Sequence, residues 1–484
     1  MGGMSLPDWV FDAAFYQIFP DRFYRSGRAA AWPEASGPFE PWDAPPTVRG
    51  FKGGDLWGVA DKLDHLLELG VNALYLNPVF ASSANHRYHT SDYLRVDPIL
   101  GGDAALRHLL DEAHARGMRV ILDGVFNHSG RGFFPFQHLL ENGPASPYRD
   151  WYYVRGFPLH AYGAKPNYDA WWDNPELPKL KVATPAVRRY LLHVAEYWIR
   201  FGADGWRLDV PEEIDDPAFW AEFRARVKAA NPEAYLVGEI WHKAPDWVAP
   251  AGPFDGLMNY PLGRAVLGFV GGEGFDRELA ARSGLGQVPL LDAAGWVEQV
   301  EAVLAAYPEG GFGHLNLLGS HDTPRIYTMM REDAARTALA LELLAVLPGA
   351  PSIYYGDEIG LPGAHDPDNR RAFPWQHPER WNRAILERVR RVLELRRKQE
   401  ALRRGGFARV WSEGGRAAFL RGGERGLLLT VNAGSAGWAL DLPCSRRGER
   451  RQGLLADGRL ACRGGRLRGA ELPPLTLEAW AWVD

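Results

Sequence analysis

Cysteine is nearly absent from this chain. Among 484 residues only Cys444 and Cys462 occur; this excludes a disulfide framework or a cysteine-based metal centre and leaves room for a single bridge. A positive surplus is also missing. With 55 Lys and Arg against 60 Asp and Glu, the net charge is -5 and the pI about 6.3, so nothing in the charge balance suits nucleic acid. No apolar run reaches the length of a membrane span, and "MGGMSLPDWVFDAAF" has neither a basic nor an apolar leader region. The expectation is a cytoplasmic protein with no membrane partner. Lysine is scarce, eight among the 55 basic residues, which a GC-rich genome explains as well as thermal adaptation does. There is no fixed-period repeat and no long low-complexity linker.

What the chain does have is aromatic surface, 19 Trp, 18 Tyr and 22 Phe, whose flat rings suit the apolar faces of sugars or bases. It also has a rhythm. Eight short apolar runs read as strands: "FYQIF" (15–19), "ALYLNPV" (73–79), "RVILDGV" (119–125), "GWRLDV" (205–210), "AYLVGEI" (234–240), "GLMNY" (256–260), "HLNLLGS" (314–320) and "SIYYG" (352–356). Between them lie segments with helical spacing, such as "TPAVRRYLLHVAEYWIRFG", with Thr184-Pro185 and Asp216-Pro217 as helix starts and Gly70, Gly117 and Gly202 as stops. Eightfold alternation of this kind argues for an α/β fold with a closed (β/α)8 TIM barrel, formed by residues 1–128 and 177–400. Residues 129–176, rich in aromatics, Pro and Gly, are too long for a connection and read as a subdomain inserted after strand three. Residues 401–484 carry short strands and Gly-rich turns, the pattern of a separate all-β sandwich.

In such a barrel the chemistry sits at the C-terminal strand ends. Strand three ends in "DGVFNH" with Asp123, Asn127 and His128, strand four gives Arg207 and Asp209, strand five Glu239, and strand seven runs into His321 and Asp322. The loop after strand two, "HRYHTSDY", adds Tyr88, His89 and Asp92. Period-two alternation puts Arg207 and Asp209 on one face, which fits either a structural ion pair or a carboxylate held ionised by its neighbour. Carboxylates from three strands point to glycoside hydrolysis, which needs one nucleophile and one acid.

"DGVFNH", "GWRLDV", "GEIW" and "LLGSHD", in that order at strand ends, resemble the four short motifs of the α-amylase family of glycoside hydrolases, and "GDLWGV" (54–59) and "GAPSIYYGDE" (349–358) extend the resemblance over the barrel. It implies Asp209 as nucleophile, Glu239 as general acid and base, and Asp322 as the carboxylate that favours the distorted transition state. It further implies sugar hydrogen bonds from His89, His128 and His321 and ring stacking by Tyr88, with Asp92 and Arg207 beside them. "DPDNRRAFPW" supplies Asp366 and Arg370 to the non-reducing side, a surface ion pair being the other reading. Trp241 is either a platform on the leaving-group side or a core residue. His86 and His89 stand at a spacing a metal could use, but substrate contact is the preferred reading and no metal site is expected.

Within the family, "LPKL" (177–180) and "GEIWH" resemble the signatures of neopullulanases, cyclomaltodextrinases and maltogenic amylases, while Lys181 stands in place of an Asn and "VPEE" in place of "VANE". Strand one begins near residue 15, so the N-terminal module through which many of those enzymes dimerise is not expected, and a homodimer would use another surface. No cofactor is required. Calcium, which many members bind through the Asn of "DGVFNH" or the loop after strand one, has few ligands in "DRFYRSGRAAAWPEASG" (21–37), and Asn127 is expected to make a structural hydrogen bond. The implied activity is a retaining α-glucan hydrolase cutting α-1,4 and α-1,6 bonds of maltooligosaccharides, cyclodextrins or pullulan, with transglycosylation. The alternatives are an oligo-1,6-glucosidase or α-glucosidase, a trehalose-forming isomerase, and a noncatalytic sugar-binding homologue. The "VPEE" departure makes Glu212 and Glu213 the expected seat of altered specificity.

Overall fold

A computed structural model describes residues 6–28, 39–163, 165–248, 250, 252–444, 446 and 448–483. Eight parallel strands form the barrel: Phe15–Ile18, Ala73–Leu76, Arg119–Gly124, Gly205–Leu208, Tyr235–Gly238, Gly256–Leu257, Leu315–Asn316 and Ala350–Tyr354. They pair in sequence order, with Phe15 opposite Ala73, Ile121 opposite Gly205 and Gly205 opposite Tyr235. Closure is complete, because strand eight pairs with strand one through Phe15 and Ser352 while a parallel bridge from Met258 to Leu315 joins six to seven. Each residue of strands one, two, four and five is buried, since such strands have side chains covered on both faces and therefore read as continuous apolar runs. Where strand six meets strand seven only glycine fits: a Cβ on Gly256 would sit 1.7 Å from the Gly313 carbonyl oxygen.

Helices cover the barrel where the sequence starts and stops them. Pro185–Phe201 opens on proline and ends at Gly202, whose φ of 117° is the left-handed stop that glycine adopts without strain. The Asp216 side chain caps Pro217–Ala230 by accepting from the Phe219 N–H. Thr184 does not cap its helix; its hydroxyl donates instead to the Asp150 carbonyl in the inserted segment.

After strand two the chain makes a hairpin, Phe80–Ser82 with Thr90–Val96, where the sequence reads only as a loop. The segment after strand three folds over the barrel mouth and is tied back by bridges from His128 to Lys179 and Tyr152 to Leu180. From Phe407 onward eight antiparallel strands form one sheet, beginning with Phe407–Glu413 and ending with Thr476–Val483. The sheet folds over so that Trp411 stacks on Trp438, 5.1 Å between rings, around a core of Leu440, Leu460, Leu467 and Trp480. Cys444 and Cys462 form a disulfide within it. Buried Arg421 fastens this sheet to the barrel by donating to the carbonyls of Val346, Leu402 and Gly405.

Candidate active site

The strand ends converge on Arg207, fully buried in strand four. Its Nη1 donates to Asp123 Oδ1 at 2.8 Å and Asp209 Oδ1 at 3.0 Å, and its Nη2 lies 2.9 Å from Glu239 Oε1. The bonds differ in quality. Nη2 has no aligned hydrogen-bond partner, so the guanidinium bonds Asp209 properly and only approaches Glu239. Immediately after Asp209, Val210 adopts the left-handed region with φ 36° and ψ 54°, and this turn aims its N–H at Glu239 Oε2, 3.0 Å away. A β-branched residue there is strained, which is a known habit of residues that position chemistry. Trp241 stacks on Tyr260 at 3.5 Å and donates its indole N–H to Glu239 Oε1 at 3.2 Å.

A second chain of bonds runs from Asp123 to Asp322. Asp123 Oδ2 accepts from the hydroxyls of Tyr75 and Tyr88, each at 2.7 Å. Tyr88 lies flat on His321, with ring centres 5.3 Å apart, and its oxygen is 2.7 Å from His321 Nε2. The amides of Gln17 and Asn77 both donate to His321 Nδ1, at 2.9 and 3.0 Å, which leaves Nε2 as the N–H that serves Tyr88 and Asp322 Oδ2 at 3.1 Å. Arg370 closes the rim, 3.6 Å from Asp322, 3.1 Å from Asp366, and donating to the His321 carbonyl.

Charge is crowded here. Burial pushes Asp209 well above the usual carboxylate range; Arg207 works against that rise, and Glu239 and Asp123 add to it. Burial, followed by Glu239, raises Asp322 to about 7. The sequence reading of Arg207 as the group that holds Asp209 ionised thus captures one side of a balance, because desolvation outweighs the guanidinium in the free site. Burial lowers His321 and His89, and takes His128 down to about 3, so the three imidazoles are neutral donors and acceptors at physiological pH. His128 Nε2 is buried without a protein partner.

Of the residues singled out from the sequence, Asp209, Glu239, Asp322, Arg207, Tyr88, His321, Asp366, Arg370 and Trp241 belong to this connected set. His89 stands near it, its ring 4.8 Å from His86 and its Nδ1 3.8 Å from Glu176. Asp92 lies in the hairpin, where its carboxylate accepts from the Leu94 N–H. Gln17, Asn77, Tyr75 and Tyr260 are additions that sequence reading missed, although a glutamine inside "FYQIF" and an asparagine ending "ALYLN" are polar interruptions that could have flagged the first two. Glu213 reaches Lys179 at 3.2 Å and Glu212 reaches His242 at 3.0 Å, tying the "VPEE" turn to both walls of the mouth.

Asn127 leaves a buried Oδ1 without a partner, while its Nδ2 faces His128 Nδ1 at 3.3 Å. One orphan oxygen is far short of the six or more that calcium takes. Among the described residues no group of three or more His, Cys, Asp or Glu is arranged to hold a metal, and residues 29–38 of the loop after strand one lie outside the described residues. No helix of the described residues is long and apolar enough to cross a membrane.

Comparison with known proteins agrees with this fold. Residues 17–419 match the family model of the alpha amylase catalytic domain, and residues 407–481 match that of the neopullulanase-like C-terminal domain. The chain is 40% identical to a cyclomaltodextrinase of Geobacillus thermopakistaniensis (strain MAS1), over 98% of this chain and 78% of that protein. Among solved structures, Ttha1563 from Thermus thermophilus is 58% identical with a TM-score of 0.95, covering 98% of this chain and 100% of that one. A debranching enzyme from Nostoc punctiforme is 42% identical with a TM-score of 0.88, covering 99% and 100%. Matched by the catalytic-domain model over most of its length, the chain belongs to the alpha-amylase family of glycoside hydrolases.

Proposed function

We propose that the protein is a retaining α-glucan hydrolase of neopullulanase type, cutting α-1,4 and α-1,6 bonds in maltooligosaccharides, cyclodextrins or pullulan, with sugar as well as water able to accept the glycosyl unit. One observation carries the reading: oxygens of Asp209 and Glu239 lie 3.0 and 2.9 Å from adjacent nitrogens of the same guanidinium. That favours the close carboxyl pair of retaining enzymes, about 5 Å apart, over the wider pair that shelters a water. The neopullulanase-like C-terminal domain and the debranching activity in the name of the Nostoc structure support both bond types.

Each residue has a share in the double displacement. Asp209, bonded in line by Arg207, is aimed as the nucleophile and attacks the anomeric carbon. Glu239, which Arg207 only approaches, gives a proton to the departing oxygen and later takes one from the water that frees the glycosyl-enzyme. Asp322 and Arg370 grip sugar hydroxyls, and His128 Nε2, which carries the ring proton because Nδ1 faces the Asn127 amide, can donate to one more.

The test is a product profile from maltotriose, β-cyclodextrin and pullulan with the parent enzyme and Asp209→Asn. Reducing sugar from the parent, panose from pullulan and loss of both in the variant are expected. Glucose as the sole product would move the reading to an α-glucosidase, and no product from any of the three would overturn it.

A further inference from the structure

Trp172 is the most exposed large apolar side chain among the described residues, at 82%. Its backbone is also in the left-handed region, φ 52° and ψ 34°, followed by Asp173 at φ 56°. Glycine adopts such a conformation freely, and a bulky side chain there costs about 1 kcal/mol or more. The chain therefore keeps a strained tryptophan whose ring is turned to solvent, an arrangement that contributes little to folding.

What the strain achieves is alignment. Trp172 lies flat on Trp171, with ring centres 4.5 Å apart at 9°, and Trp171 lies on His128, 5.8 Å away at 26°. The three rings form a stack that starts at a residue of the catalytic mouth and ends in open solvent. Its base is held firmly: the Trp171 N–H donates to the Leu177 carbonyl, Asn174 N–H to the Trp171 carbonyl, and the Ala170 to Pro178 bridge pins the turn beside Lys179.

We propose that Trp172 is a specificity-determining residue, a sugar platform on which pyranose rings of an α-glucan rest outside the site of bond cleavage. The proposal rests on the α-glucan reading above. A pyranose presents a face of C–H groups that packs on an indole, and the open indole is continuous through Trp171 and His128 with the cleft that would hold the scissile bond. Long and cyclic glucans can reach both places at once, whereas a trisaccharide fills only the inner one. The platform thus tilts the enzyme toward longer or ring-shaped substrates.

Trp172→Gly removes the ring and suits the backbone, so a folding role and a binding role separate cleanly. The ratio of kcat/KM for maltoheptaose and β-cyclodextrin to that for maltotriose should fall about tenfold, through KM, while Tm does not fall; Trp172→Tyr should keep most of the ratio. Tenfold corresponds to about 1.4 kcal/mol. An unchanged ratio overturns the proposal, as does a lowered Tm with equal losses on all substrates, or a shift in sedimentation with the ratio intact, which would show a second copy of the chain on this surface. Binding of maltoheptaose to Glu239→Gln, with and without Trp172, gives the same comparison without turnover. If the parent hydrolyses no glucan but Glu239→Gln binds maltoheptaose about tenfold more tightly with Trp172 than without, the platform stands and the hydrolase reading falls; no binding overturns both.

Discussion

Replacing Arg207 by methionine would expose how the site is held together. The guanidinium is fully buried and stands within 3.0 Å of an oxygen of Asp123, Asp209 and Glu239. Methionine of similar length leaves those carboxyl groups buried with no counter-charge, a loss of about 3–5 kcal/mol when one partner of a buried pair is removed. The deficit should depend on pH in a defined direction. Asp209 already titrates above its ordinary value, and losing Arg207, the group that opposes the rise, lifts it further. A carboxyl whose folded pKa exceeds its unfolded value near 3.9 is fully stable below the unfolded value and loses stability as pH climbs toward the folded one. Guanidinium chloride melts followed by tryptophan fluorescence should therefore show Arg207→Met less stable than the parent by about 3–5 kcal/mol at pH 8, with a smaller deficit at pH 5. An equal deficit at both would mean that the side chain matters for its volume alone, and the electrostatic account would be wrong.

Glu239→Gln should cut kcat on maltotriose by about 10²–10⁴ and spare a p-nitrophenyl maltoside, whose leaving oxygen needs no proton; equal losses on both would remove Glu239 from the acid role. In the same variant Asp322 loses a neighbouring charge that raises it, so the acid-side limb of acarbose binding should move below its position in the parent, where Asp322 titrates at about 7. Val210→Gly relieves a left-handed β-branched residue and should raise Tm while lowering kcat, because the N–H that aims Glu239 becomes loosely held; a rise in both would deny the turn its positioning role. Replacing Cys444 and Cys462 together by serine opens an 18-residue loop and should cost about 3 kcal/mol in the C-terminal sheet with kcat/KM unchanged; unfolding curves that overlay those of the oxidised parent would contradict this.

The barrel was legible because each strand is short, apolar and covered on both faces, so that "RVILDGV" announces a strand that the structure forms over Arg119–Gly124. The polar residues that end such runs were legible for the complementary reason: charge beside a buried strand needs partners, and Asp123, Arg207 and Glu239 find one another. Other features depended on distance in sequence. Gln17 and Asn77 meet His321 across 304 and 244 residues, and no local pattern encodes that meeting. The "HRYHTSDY" loop hid a strand, Thr90–Val96, because its partner Phe80–Ser82 is only three residues long. Period two holds for Arg207 but the strand ends at Leu208, and Asp209 reaches its place through the turn that follows.

That turn explains why stability and chemistry conflict at this site. Asp123, Asp209 and Glu239 crowd the one guanidinium of Arg207, while Asp322 has Arg370 beside it, so carboxylates outnumber the cations that face them. Burial and this crowding raise both Asp209 and Asp322, and the contacts about the carboxyl groups are not symmetric. Arg207 bonds Asp209 in line and Glu239 out of line, whereas Glu239 receives its fixed contacts from neutral donors, the Val210 N–H and the Trp241 indole. A charged donor holds a carboxylate more strongly than a neutral one does, so the two carboxyl groups are held by contacts of different strength. Asp123 shows how closely charge is tied to contact here: its Oδ2 accepts from the Tyr75 and Tyr88 hydroxyls and its Oδ1 from Arg207, so Asp123→Asn, which sets an amide NH2 against these donors, should lower Tm and turnover together.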